Sequence, residues 1–308
     1  MIKFFLKKFT IFIVCLFLIV SICFFLMKLL PGDPFVNDQS IPEEVLNSLK
    51  AHYGLDQPLW KQYLLYLKGC FTFDLGPSLI FQGKKVQDII RESFLVSAKI
   101  GLQALIFSTL VGFTLGSVSA LKREGWMDNF SLLISTLGLS IPSFVIAALL
   151  QYYLSIKLSL FPLAKWEAPF SSVLPSLALS LTPIAYLTRL IRSSLIEVLS
   201  KEHIQMSQVK GLSPFYILVR HALPCAMVPV LGYFGPFIAY LLTGSFIIEK
   251  VFALPGLGSW MIQSILQRDY TVVMGLLTFF SVLLLVLVFI TDLLRPLLDP
   301  RTKVGNYA

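Results

Sequence analysis

The chain has 308 residues, 56% of them hydrophobic and only 14% charged, and no water-soluble domain of that size can bury so much apolar surface; an all-α integral membrane protein is the class that remains. Its net charge of +8 is explained below by a bias toward one face of the bilayer, so no nucleic-acid partner is needed. Cys15, Cys23, Cys70 and Cys225 fall in separate places and form neither a disulfide framework nor a metal-ligand cluster.

Six stretches are long enough to cross a hydrocarbon core, which takes about 20 apolar residues as a helix: residues 9–29, 95–121, 130–156, 172–190, 225–248 and 271–293. The first has the basic head and apolar body of a secretory signal, but MKLLPGDPF follows it where a small-x-small cleavage site would stand. An uncleaved span is therefore expected. Residues 31–93 form a polar segment between the first and second spans. Ser40 and Glu43 have capping-box spacing, Gly54 is placed to close that helix, and a second helix is predicted from Pro58 with Trp60, Tyr63, Leu64 and Leu67 on one face. These two helices read as a small cap packed on the membrane body.

The second span carries Ala104, Ser108, Gly112, Gly116 and Ala120 at every fourth position, a stripe that lets another helix approach closely. Pro142, Pro175, Pro183, Pro229 and Pro236, with Gly232 and Gly235, predict kinked or locally opened helices, which membranes tolerate where the opening faces protein or water. No span has an ionisable residue in its middle; Lys28, Lys99, Arg189 and Asp292 lie near predicted ends. Proton-coupled transporters need such intramembrane groups, so proton coupling is not expected. There is also no phosphate-cradling G-x-x-x-x-G-K-[ST] loop. Gly138-Leu139-Ser140 is a candidate buried serine nucleophile, but His52, His203 and His221 all fall outside the spans, and an activated serine needs a base within reach. An intramembrane enzyme is thereby disfavoured.

With the N-terminus inside, the inner face has thirteen Lys and Arg and the two short outer loops have four. The positive-inside rule then places both termini and the polar island Lys201–Pro224 in the cytoplasm, and residues 31–93 outside. The island, KEHIQMSQVKGLSPFYILVRHALP, reads as two short helices turning around Gly211. Glycine can take the left-handed conformation that closes a helix, and Ser213 with Pro214 supplies an N-cap and a first-turn proline for the next. Pro224 is expected to stop that second piece. Leu195, Val198, Leu199, Met206 and Val209 are predicted to line one face of the first helix, leaving Gln205, Gln208, Lys201 and Lys210 more exposed.

The island's spacing resembles the loop of ABC importer permeases, E-A-A-x3-G-x9-I-x-L-P. Gly211, Leu223 and Pro224 agree with it, whereas Gln205, Met206 and Ser207 stand at E-A-A and His221 stands at the isoleucine. Further runs resemble one branch, the dipeptide, oligopeptide and nickel permeases, in its B-type subunit: LLPGDP, YGLDQPLWKQYL, DLG, VKGLSP, RHALP, IIEKVFALPGLG, QRDY and LLDPRTK, in that order over nearly the whole length. Thr271 after QRDY and Leu95 depart from the family's usual proline and threonine.

The resemblance implies a type I importer fold, residues 1–308 forming one transmembrane permease domain in a bacterial inner membrane. It implies a second permease subunit of similar fold, two ABC ATPase subunits and an extracytoplasmic solute-binding protein as partners, together with the lipid bilayer. No cofactor is expected in this chain, ATP and magnesium belonging to the ATPases. Residues 193–224 would be the cytoplasmic coupling loop, with Gln205, Met206, Ser207, Lys210, Gly211, His221, Leu223 and Pro224 as its docking residues. Pro31, Gly32, Asp33 and Pro34, and Leu254, Pro255, Gly256, Leu257 and Gly258, are turn-forming stretches that would serve as an outer gate or binding-protein contact, or simply as tight loops. The same machinery importing nickel or another small complex, and a standalone channel or scaffold, are the alternatives.

Overall fold

The computed structural model describes residues 2–29, 43–163, 166 and 168–298, and helices dominate them. The long apolar helices are α1 (Ile2–Leu29), α4 (Val86–Leu121), α7 (Val173–Leu199) and α13 (Tyr270–Leu298), together with a stretch from Pro214 to Val251. Counted with the bent pair α5 (Trp126–Ser140) and α6 (Ser143–Leu150), whose second half continues to Lys157, they give five or six candidate spans among the described residues. The pair bends by 99° at Ile141 and Pro142. Proline pushes the residue before it out of the helical region, and Ile141 is extended at φ −88°, ψ 122°.

The small-residue stripe of α4 is the central seam. Ala104 and Ser108 are fully buried. A Cβ placed on Gly112 would lie 2.7 Å from the Leu187 Cβ, and one on Gly116 would lie 2.8 Å from the Thr188 carbonyl oxygen, so α7 runs directly over them. Further along α4, Gly101 sits against the Leu241 carbonyl of α10 (Leu223–Leu242). The expected proline openings are fewer than the sequence suggested. Pro142 marks a break, Pro175 lies in the first turn of α7, and α7 and α10 continue through Pro183, Pro229 and Pro236.

Helix α1 lies at the edge of the bundle. Its described buried side chains are Val20 and Phe24, Phe24 stacking on Tyr66 at 5.6 Å, and Lys8 bonds to Asp292 of α13 at 2.6 Å. In the 31–93 segment, α2 (Glu43–His52) ends near Gly54 at φ +67°, and α3 (Leu59–Thr72) follows Pro58. Ser40, the expected cap of α2, lies outside the described residues.

The face that α3 packs is rotated from the predicted one. Trp60 and Leu64 are exposed, while Tyr63 and Leu67 of the predicted face are half-buried together with Tyr66 and Cys70. Two hydroxyl contacts set this phase: Tyr63 with Ser21 and Tyr66 with Thr278, each at 2.6 Å. A buried phenol needs a partner, and those partners lie on α1 and α13.

Candidate functional site

The island folds as α8 (Glu202–Val209), a turn, and α9 (Pro214–Ile217). Gly211 has φ +76° with nothing within 4 Å of where a Cβ would be. Glycine is therefore required there by the backbone conformation and not by crowding. Ser213 caps α9, its hydroxyl oxygen accepting from the Tyr216 amide at 3.3 Å. Two side chains peg the hairpin to the bundle, Ile204 and Ile217, both buried. Contrary to the predicted face, Met206 is 58% exposed and Val209 82%. Leu195 and Val198 are buried, but as part of α7, which reaches the island's edge at Leu199. With Leu212, Phe215 at 75%, Tyr216 and Val219, the turn carries a group of exposed apolar side chains that none of the described residues covers.

Pro224 does not stop the second helix. The chain runs from Pro214 through a π-helical turn, Leu218–Ala222, directly into α10, and the Leu223 amide bonds the Leu218 carbonyl. A proline inside an α-helix has no amide to donate and crowds the carbonyl one turn earlier; the wider π turn just before Pro224 makes room for it. Of the predicted docking residues, Gln205, Met206, Lys210, Gly211 and Pro224 are exposed, while Ser207, His221 and Leu223 are half-buried. The Ser207 hydroxyl turns back to the His203 carbonyl at 2.9 Å, and the Gln205 amide donates to the Ser200 carbonyl at 3.3 Å.

Above the island, α7 extends past residue 190, where the span was predicted to end, so Arg189 and Arg192 lie well inside the helix. Arg192 is accommodated by Asp128, which the sequence reasoning did not single out. The Asp128 carboxylate is buried and accepts from Arg192 Nε and Nη2, each at 2.7 Å, from the Ser119 hydroxyl at 2.5 Å and from the Glu124 amide at 2.9 Å. This bidentate pair joins the end of α4, the start of α5 and α7 at one point. Tyr186, Arg189, Ser193 and Glu197 form an exposed polar stripe along α7. Arg189 donates to the Thr136 hydroxyl of α5 at 2.8 Å, and Tyr186 stacks on Tyr233 of α10 with centroids 4.3 Å apart.

Roughly 33 Å of helix separates Ser119 from Ser97 on α4, at about 1.5 Å per residue. At the Ser97 end lie α11 (Phe246–Val251) and α12 (Leu257–Leu266), joined by the predicted gate stretch. Leu254, Gly256, Leu257 and Gly258 are buried, and Pro255 is the one residue of the five that is exposed. Glu249 on α11 is 2% exposed. Its carboxylate accepts from the Ser97 hydroxyl at 2.7 Å and the Ser259 amide at 3.1 Å, and Ser97 Oγ accepts from the Leu257 amide at 2.9 Å. Pro31, Gly32, Asp33 and Pro34 lie outside the described residues.

A third buried acid, Asp269, explains two more runs. Its carboxylate accepts from the Ser78 hydroxyl, from the Leu79 amide at 3.3 Å and, at the start of α13, from the Val272 amide at 3.2 Å. The aspartate of QRDY thus holds the loop that follows DLG. Among the described residues, no three His, Cys, Asp or Glu side chains are grouped to hold a metal ion.

Comparison with known proteins gives the same picture. The profile described as "Binding-protein-dependent transport system inner membrane component" matches residues 112–304, and that of the corresponding N-terminal part matches residues 1–98. The "Dipeptide transport system permease protein DppB" of Bacillus subtilis is 43% identical, covering 99% of both chains. The "Oligopeptide transport system permease protein OppB" of Escherichia coli strain K12 is 37% identical, covering 98% of this chain and 100% of that protein. Among solved structures, the inward-facing MetNI methionine ABC transporter matches with a TM-score of 0.58 at 16% identity, over 68% of this chain and 96% of that one. At that identity the structural likeness is one of fold.

Proposed function

Because the chain belongs to the binding-protein-dependent transport system inner membrane component family, we propose that it is a permease subunit of a bacterial peptide importer driven by ATP hydrolysis in separate partner subunits. The observation that carries this reading is the apolar cluster of Met206, Val209, Leu212 and Phe215, held out from the bundle on a hairpin pegged by Ile204 and Ile217. Relatives over nearly full length carry dipeptide or oligopeptide transport in their names, which favours peptide over nickel as cargo.

In this reading a second permease subunit completes the pathway, two ABC ATPases dock at the hairpins, and a solute-binding protein delivers peptide at the opposite face. ATP and magnesium reside in the ATPases. Both termini and residues 193–224 lie in the cytoplasm, with residues 31–93 outside. The stripe Tyr186, Arg189 and Ser193 faces the pathway, since a cation on a spanning helix is costly toward lipid and acceptable toward water. Closure of the ATPases shifts the chain between two access states, a population change driven by differential binding.

The test is reconstitution of this chain with its partners in proteoliposomes and uptake of radiolabelled di- and tri-alanine. ATP-dependent uptake that is lost when this subunit is omitted supports the reading. Flux by this chain alone, without co-purifying ATPases, would establish the standalone channel instead.

A further inference from the structure

IIEKVFALPGLG places one acid ahead of two glycines, and the fold shows these to be one unit. The Leu257 and Ser259 amides belong to the first turn of α12, where helix donors have no intrahelical partner and where the peptide dipoles favour negative charge. Glu249 and Ser97 take up both of them. Among the described residues no cation pairs with Glu249, so its carboxyl group is held by neutral donors from α4 and α12. Gly256 has φ −95°, ψ 178°, an extended conformation open to any residue. Yet a Cβ there would lie 2.5 Å from the Glu249 Cδ and 2.6 Å from Ser97 Oγ. Backbone freedom does not require this glycine; the carboxylate occupies the space a side chain would need. At Gly258 a Cβ would meet the Phe246 Cα at 2.8 Å and Glu249 Oε2 at 3.0 Å.

We infer that Glu249 is a positioning residue of the transport cycle: wedged between Ser97 and the opening turn of α12, it makes the Leu254–Gly258 turn ride with α4 instead of moving as a separate flap. This rests on the importer reading above. Access at that end then changes by movement of α4, α11 and α12 as one piece.

The experiment uses the complete importer in proteoliposomes, with uptake of di- and tri-alanine, basal and substrate-stimulated ATP hydrolysis, and amide exchange across residues 254–262. Gly256→Ala sets a methyl against the carboxylate and is expected to lower uptake about fivefold at equal complex recovery. Glu249→Asp withdraws the carboxylate by one methylene, so the double variant E249D/G256A recovers at least about half of wild-type uptake, the non-additivity expected of groups in contact. Glu249→Gln keeps the shape without the charge and lowers the ratio of stimulated to basal hydrolysis about threefold. Exchange at Leu257 and Ser259 quickens about tenfold in G256A and E249Q and slows again in the double variant.

A double variant no better than G256A, or E249Q with wild-type uptake, ratio and exchange, overturns the role of Glu249. If G256A does not assemble, E249Q alone decides by the same three readouts. A wild-type complex that takes up neither peptide removes the importer reading and the transport role together, whereas wild-type uptake without rescue removes only the latter.

Discussion

Helix α4 is held at two points by a buried carboxylate, at Ser119 near its C-terminal end and at Ser97 about a third of the way along, and the two anchors are built differently. Asp128 faces a bidentate guanidinium, while Glu249 faces a hydroxyl and helix-opening amides with no cation among the described residues. A charge pair of this geometry tolerates little displacement, because separating it leaves two unpaired charges. Neutral donors hold a carboxylate at lower cost of rearrangement. The Ser119 anchor thus joins α4 to α7 through an ion pair, and the Ser97 anchor holds a turn whose glycines fit around the carboxyl group by shape.

The largest expected effect comes from removing a partner at the stiffer anchor. Arg192→Ala leaves Asp128 buried and unpaired and should cost about 3–5 kcal/mol in thermal unfolding of the detergent-solubilised protein. Ser97→Ala at the other anchor removes both the hydroxyl's bond to Glu249 and the acceptor of the Leu257 amide, and should cost about 1.5–3 kcal/mol by the same measurement. Equal losses at the two ends would break the distinction. Between them, Gly116→Leu drives a side chain into the Thr188 carbonyl and Ile191, an overpacking worth about 1–3 kcal/mol, and should lower the recovery of folded protein. Combining Ser97→Ala with Ser119→Ala tests whether the anchors are independent: their costs should add to within about 0.5 kcal/mol, and a larger deviation would mean that α4 transmits strain between them.

The smallest change in stability is expected at Gly211. Gly211→Val meets no neighbour and costs about 1–2 kcal/mol of left-handed backbone strain, leaving the protein in the membrane. Uptake should nevertheless be abolished, since the turn that presents Phe215 and Met206 is altered. Normal uptake in that variant would remove the docking role of the hairpin.

Much of this architecture was legible in the sequence. The spans follow from apolar length, the α4 seam from small residues at helical spacing, and the island's turn from Gly211, Ser213 and Pro214. What failed had physical causes. The α3 phase was misread because its apolar residues occur on more than one face, and the decisive contacts are hydroxyls of Tyr63 and Tyr66 to remote helices. Asp128 sits at the mouth of a span and its partner Arg192 lies in another helix, so nothing local announces the pair. Pro224 looked like a terminator because proline ends helices in water-soluble proteins, whereas here a π turn absorbs it. Glu249 stood in a run that was read for its glycines as turn formers, and the reason for those glycines appears only when the carboxylate is seen among them.

That π turn has a structural consequence. Since Pro224 does not interrupt the chain, Pro214 to Leu242 forms one continuous helical run with a contour of roughly 40 Å, at about 1.5 Å per residue. One tip carries Phe215, and the other lays the Leu241 carbonyl on Gly101, one helical turn from Ser97. The two tips are thus joined by continuous helix with no loop between them, which places the hairpin and the neighbourhood of the buried carboxylate on one unbroken stretch of secondary structure.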